Sequence, residues 1–231
     1  MEESREVWKS LSLTHVQYLE GDVIGFILAW SSMLPIFIFV SIVTLVLFRR
    51  DLHTVCFGAG LLLNEVLNKI LKRVIAEPRP VASHRPTNAL GYGMPSDHSQ
   101  YMAFFSVYVT LFLCIRSHST GACLERIWKL ILVTGVMLSA AACCYSRYYL
   151  LYHTPAQIYW GILVGVLTGI LWFCMVHLIL TPYFPQITTW KVSEFLMIRD
   201  YTLIPNTLWF EYCHARAEAR SRLRKQKSRA Q

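Results

Sequence analysis

The stretch Val23 to Phe48, VIGFILAWSSMLPIFIFVSIVTLVLF, holds no Lys, Arg, Asp or Glu in 26 residues. A helix that crosses a bilayer needs roughly 20 mostly apolar residues. This run therefore reads as a membrane span and sets the class of the whole chain. Ile158 to Thr181 is also uncharged, and Ser99 to Ile115 and Ile131 to Tyr145 are shorter apolar runs. Thr54 to Leu71 is a weaker candidate, diluted by Asn64, Glu65, Asn68 and Lys69. The four-residue spacing of Glu65 and Lys69 suits an ion pair on one helix face. Composition agrees with this class: 55% of residues are hydrophobic and 16% charged, with a mean hydropathy of +0.40, whereas soluble domains carry about 25% charge. The expected fold is all-α, a polytopic membrane helical bundle with about five transmembrane helices, near residues 24–48, 54–71, 99–116, 127–145 and 158–180.

The net charge of +8 points to a membrane surface rather than nucleic acid, because it is unevenly spread. Seven Lys and Arg side chains crowd between Arg216 and Arg229, and such a run beside a membrane sets topology or contacts lipid headgroups. With five spans, segments 72–98 and 146–157 emerge on one side together with the amino terminus. The other side receives most of the basic residues, including Arg49, Arg50, Arg116, Arg126, Lys129 and the tail. The positive-inside rule then places the tail in the cytoplasm and the two loops in the lumen or exterior. No cleavable signal peptide is expected in the acidic start (Glu2, Glu3, Glu6), so targeting falls to the first span.

No internal repeat is present, and the chain reads as one domain in four parts. Residues 1–22 form a polar luminal segment and 23–181 the transmembrane domain. Residues 182–212 are aromatic and proline-bearing and suit an interfacial segment, and 213–231 form the basic cytoplasmic tail. The seven cysteines are scattered without paired spacing. They read as small buried apolar side chains, not as a disulfide or metal framework.

Three polar clusters share the luminal side. In KRVIAEPRP, Lys72 to Pro80, helical structure should stop before Pro78. Lys72 then ends the second span and Arg79 follows in extended chain. In YGMPSDHSQ, Tyr92 to Gln100, Ser96 is placed to cap the third span, leaving first-turn amides free for an anion. His98 lies in that turn. In YSRYYLLYHTPAQ, Tyr145 to Gln157, Arg147 precedes His153 by six residues. A helical segment there would set Gln157 on the same face as His153, so that its amide oxygen orients the imidazole. Taken singly, these are a basic membrane anchor, a helix cap and an interfacial histidine. Together they gather two histidines and three cations on one membrane face, where ionisable groups are costly and tend to be functional. That set suits phosphoryl transfer: Lys72, Arg79 and Arg147 neutralise phosphate oxygens while one histidine attacks and the other protonates the leaving oxygen. No acidic cluster calls for a metal, and no cofactor is expected.

Lys72-(six residues)-Arg79-Pro80, Pro95-Ser96-Asp97-His98 and Ser146-Arg147-(five residues)-His153 resemble the three-part signature of the type 2 phosphatidic acid phosphatase superfamily. In and around those motifs, DLHTVCF, LNEVLNKILKRVIAEPRP and VSEFLMIRDYTLIPNTLWFEY are similar to its dolichyl diphosphate-cleaving branch. The resemblance covers nearly all the chain from about Leu13 to the tail. It implies metal-independent hydrolysis of dolichyl diphosphate, a lipid substrate in the bilayer, to dolichyl phosphate and inorganic phosphate. The reaction would run on the luminal face of the endoplasmic reticulum membrane and recycle the lipid carrier of protein N-glycosylation. It assigns His153 as nucleophile, His98 as general acid, and Lys72, Arg79 and Arg147 as phosphate-holding cations. Ser96 and the amides near Asp97 and His98 become the anion-binding turn. No protein partner is implied. The chain departs from the superfamily at Gln157, where Asp is usual, and at Asp97, where a small residue is usual. Two other readings fit the motifs: a phosphatase of another lipid or polyprenyl phosphate, and a non-catalytic lipid-binding protein on the same scaffold.

Overall fold

The computed structural model describes residues 8–11, 16–80, 91–116, 123–204 and 206–229. Parts of the expected luminal segment (1–7 and 12–15), the loop 81–90 and the last two tail residues lie outside them. Five helical stretches are long and apolar enough to cross a membrane: Val23–Arg49, Leu52–Ile75, Asp97–Arg116, Cys123–Tyr149 and Pro155–Thr188. The expected all-α bundle and its five spans are borne out, including the polar second one. Glu65 and Lys69 form the anticipated i,i+4 pair, at 3.7 Å.

The first span is broken into α1 (Val23–Ser31) and α2 (Leu34–Arg49). Pro35, in the first turn of α2, has no amide hydrogen to continue the ladder. The Ser32 hydroxyl donates back to Ala29 O at 2.8 Å. α3 (Leu52–Ile75) begins at Asp51, whose carboxylate accepts from the Thr54 amide, and ends in a left-handed Ala76. The helix thus stops before Pro78, as the proline requires. α4 (Asp97–Leu111) runs into a π-helical turn at Phe112–Arg116. α5 (Cys123–Tyr149) follows, and then α6 (Pro155–Cys174). α6 continues through a π-helical stretch and a 3-10 turn to the short α7 (Phe184–Thr188).

Two features are absent from the sequence reading. An antiparallel pair, β1 (Trp8–Leu11) and β2 (Val16–Leu19), precedes the first span. β2 sits on the loop after α5, where the Gln17 amide donates to the Tyr152 hydroxyl at 3.1 Å and Val16 packs with Leu150 and Tyr152. Beyond α8 (Lys191–Phe195), the basic tail is one helix, α9 (Thr207–Arg229). The segment before it docks at the amino end of α3, with Leu52 N donating to Arg199 O at 3.1 Å. Lys72 lies at the other end of that helix, about 30 Å away at 1.5 Å per residue. The cysteines depart from expectation. All seven are free, but only Cys143 is buried, while Cys114, Cys123 and Cys174 are exposed on the bundle exterior.

α4 is the central helix and lies along α6. Gly161, Gly165 and Gly169 line one face of α6 at four-residue spacing and remove the side chains that would hold the two backbones apart. A Cβ on Gly161 would meet Ser96 O at 2.7 Å, and one on Gly165 would collide with Gln100 O. Below them, Phe104, Tyr108, Leu61 and Phe173 form the main apolar core. A buried polar relay crosses the same region. Gln100 donates to Asn64 Oδ1 (2.9 Å) and accepts from Asn68 Nδ2 (2.8 Å), and Thr168 of α6 donates to Asn64 Oδ1 (3.0 Å). The asparagines that dilute the second span are therefore its ties to α4 and α6.

Gly165→Ala is expected to destabilise the protein by about 1–3 kcal/mol through overpacking. Gly169→Ala should cost less, because its nearest backbone atom, Phe104 O, stands 3.2 Å from the Cβ position. Thermal unfolding of the purified variants in detergent checks both the size and the order.

Candidate active site

Backbone geometry brings the three clusters to one end of the bundle. Lys72 is in the last turn of α3, Asp97 and His98 in the first turn of α4, and Arg147 in the last turn of α5. His153 lies in the turn that joins α5 to α6. That turn folds back on itself, with the amides of Tyr152 and His153 both donating to Arg147 O, at 3.0 and 3.1 Å. The glutamate-proline segment after α3 is held by an antiparallel bridge between Pro78 and Tyr92 and by Gly93 N donating to Glu77 O at 2.7 Å.

The His153–Gln157 contact forms by a different route from the one the spacing suggested. His153 precedes the helix, and Thr154 is its N-cap in a full capping box with Gln157, an arrangement that satisfies two first-turn donors reciprocally. The Gln157 amide nitrogen donates to Glu77 Oε1 (2.8 Å) and Pro78 O (2.9 Å). Both partners are acceptors only, which fixes the amide orientation and turns Oε1 toward His153 Nδ1 at 3.1 Å. Nδ1 must then carry the proton and donate. The lone pair is left on Nε2, which has no hydrogen-bond partner among the described residues although the side chain is fully buried.

Asp97 stands in front of that nitrogen. Its Oδ1 lies 3.6 Å from His153 Nε2 and 3.2 Å from His98 Nδ1, and its Oδ2 lies 3.5 Å from Lys72 Nζ. Burial pulls the His153 pKa down to about 4 from its usual 6.5, and the Arg147 and Arg79 charges add to the fall against the attraction of Asp97. Arg147 is buried, its guanidinium 3.9 Å over the Tyr152 ring. Arg79 is near enough for its charge to act on Lys72, Arg147 and His153. The Nε atoms of both arginines are buried and have no partner among the described residues.

All eight residues singled out from the sequence meet here: Lys72, Arg79, Ser96, Asp97, His98, Arg147, His153 and Gln157. Ser96 does so differently from expectation. It occupies the N-cap position, but its side chain makes no capping bond and instead accepts from the Ser99 hydroxyl at 3.1 Å. It is wholly buried, so it contributes the turn rather than a hydroxyl. The amides that follow it have no intrahelical acceptor, since the ladder starts with Gln100 N on Ser96 O, so the helix itself leaves their N–H donors unused. The sequence reading missed Glu77, which holds Gln157, and Tyr152, which carries Arg147. It also missed Gly93, where a Cβ would meet the Gln157 amide at 2.7 Å. Among the described residues, no group of three or more His, Cys, Asp or Glu side chains is placed to hold a metal ion.

Residues 53–180 match the PAP2 superfamily. The chain is 50% identical over 220 residues to dolichyldiphosphatase 1 of Homo sapiens, covering 94% of this chain and 92% of the relative. It is 33% identical over 207 residues to dolichyldiphosphatase of Saccharomyces cerevisiae, covering 86% and 84%. It is 37% identical over 218 residues to lipid phosphate phosphatase gamma of Arabidopsis thaliana, covering 90% and 92%. No solved structure matches the chain.

Gln157→Leu leaves Glu77 Oε1, Pro78 O and the His153 Nδ1 proton without their partner. Stranding buried polar groups costs about 1–3 kcal/mol, so the thermal midpoint of this variant should fall clearly below that of wild type. Gln157→Glu is expected to fall as well, since it sets a carboxylate against Glu77 where an N–H now donates at 2.8 Å.

Proposed function

The chain belongs to the PAP2 superfamily, and from that premise we propose that it hydrolyses dolichyl diphosphate to dolichyl phosphate and inorganic phosphate. The observation that carries this reading is a histidine with one nitrogen pinned and the other left bare, set among three cations. His153 Nε2 attacks the terminal phosphorus, forming a phosphohistidine and breaking the bond to the bridging oxygen. His98 protonates that oxygen as dolichyl phosphate departs. A water molecule, deprotonated by His98, then attacks the phosphohistidine and releases inorganic phosphate, returning His153 to its starting state. Lys72, Arg79, Arg147 and the first-turn amides of α4 hold the non-bridging oxygens through both steps. Gln157, held in turn by Glu77, keeps the proton on Nδ1. The names and identities of the dolichyldiphosphatase relatives support this substrate.

The same reading divides the chain into the luminal segment 1–22, the phosphatase domain 23–181, the interfacial segment 182–212 and the cytoplasmic tail 213–231. It places the reaction at the luminal face of the endoplasmic reticulum membrane, where it recycles the carrier of N-glycosylation. Support comes from the charge asymmetry and from the docking of the segment before the tail at the end of α3 remote from Lys72. A second reading, a phosphatase of simpler lipid phosphates, draws on the likeness to lipid phosphate phosphatase gamma.

Purified protein without added metal is expected to release phosphate from dolichyl diphosphate faster than from dolichyl phosphate or phosphatidic acid. A preference for phosphatidic acid would favour the second reading. His153→Ala should reduce release to background while the protein stays folded, and undiminished turnover in that variant would refute the mechanism.

The His153 pKa of about 4 also predicts a pH profile. The attacking nitrogen must be unprotonated, and a lowered pKa keeps it so to lower pH. The acid limb of kcat/KM that His153 controls should therefore lie near pH 4, and a limb centred near 6.5 would count against the assignment.

A further inference from the structure

Asp97 is an anion that touches Lys72 and both histidines of the site, and its place is unusual. One carboxylate oxygen stands 3.6 Å from the bare Nε2 of His153 and the other 3.5 Å from Lys72 Nζ. A phosphoryl group poised for in-line attack needs this same position, with phosphorus in front of Nε2 and an oxygen on the lysine. We propose that the Asp97 carboxylate is a resident competitor for the phosphoryl position, which an incoming phosphate must displace and which in turn helps expel inorganic phosphate after hydrolysis.

The geometry supports displacement over a fixed structural role. Among the described residues, the contacts of Asp97 are a 3.2 Å hydrogen bond with its neighbour His98 and two longer ion-pair contacts, 3.5 Å to Lys72 and 3.6 Å to His153. Among the described residues, no backbone amide donates to its carboxylate. Its side chain keeps 29% of its surface open, whereas the His153 side chain before it is fully buried. Rotation of the Asp97 side chain toward its exposed side therefore frees the place in front of Nε2 without moving α4. In the free protein the carboxylate also neutralises part of the charge of Lys72 and Arg147. Like charges so close in a partly dry site repel one another strongly, and either one carboxylate or one phosphate relieves that repulsion.

This inference rests on the site being one that handles phosphate, but its test is kept apart from turnover. Full-length wild type, Asp97→Asn and Asp97→Ser are purified in detergent, and inorganic phosphate is titrated calorimetrically. Asparagine preserves the shape and removes the charge, while serine removes both and serves if the asparagine variant does not fold. The expected result is a Kd for phosphate about tenfold lower in the variants. A change of less than threefold, or weaker binding in a folded variant, overturns the proposal and makes Asp97 a supporting partner of Lys72 and the histidines. Steady-state kinetics on dolichyl diphosphate supply the second readout: inhibition by inorganic phosphate should strengthen and KM should fall. Absence of turnover in wild type would defeat the proposed substrate while leaving the phosphate titration decisive for Asp97.

Discussion

The close approach of α4 and α6 is the constraint from which the site follows. In a bilayer, helices gain little from burying apolar surface against each other, because lipid tails are equally apolar, so association depends on packing and polar contacts. The glycine face of α6 lets the α4 backbone reach van der Waals contact from Ser96 to Phe104. That contact sets two helix amino termini side by side, tied by Ser96 N donating to Gln157 O at 3.0 Å. His98 and His153 meet for this reason, although α5 separates them in the chain. Both helix ends also point their positive poles toward the same small volume.

The buried polar relay adds the third helix. Asn64, Asn68 and Gln100 are almost wholly buried, and unpaired amides at that depth would be expensive. Each pairing is across helices, so the network fixes the rotation of α3 about its axis as well as its distance from α4. Lys72 is four residues beyond Asn68 and therefore on the same face, one turn nearer the membrane surface. The Asn68–Gln100 bond, at 2.8 Å, thereby aims the lysine at the first turn of α4.

Much of this was legible in the sequence, and the omissions have physical causes. Four spans follow from their uncharged runs and the second, diluted by Asn64, Glu65, Asn68 and Lys69, only from the apolar residues around them, and the three clusters follow from where ionisable residues interrupt those runs. The His153–Gln157 pairing was anticipated, but through a shared helical face. A capping box produces the same proximity because N3 reaches back over the cap. Pro35 does mark the break in the first span, yet an apolar run does not reveal whether its helix is continuous. Gly161, Gly165 and Gly169 carry a readable small-residue spacing, but which helix they contact is a tertiary fact. Glu77 gave no signal, since a glutamate beside Pro78 looks like ordinary loop until the fold brings Gln157 against it. The exposed cysteines reflect the solvent: a bundle facing lipid has no reason to turn small apolar side chains inward.

The electrostatics of the site explain why its polar atoms are left partly unpaired. Lys72 and Arg147 converge on Asp97 with Arg79 near them, and among the described residues the Nε atoms of both arginines lack acceptors. Such an arrangement would be self-destabilising in a site with no ligand of opposite charge to receive. Groups held in this way need little reorganisation when an anion arrives, which is the condition under which fixed charges stabilise a transferring phosphoryl group best. The Tyr152 ring under Arg147 serves the same end, for it supports the guanidinium through its π face without consuming the N–H donors. Rigidity comes from the glycine contact, the amide relay and the Gln157–Glu77 bond, and the charges can remain unsatisfied because the scaffold does not depend on them.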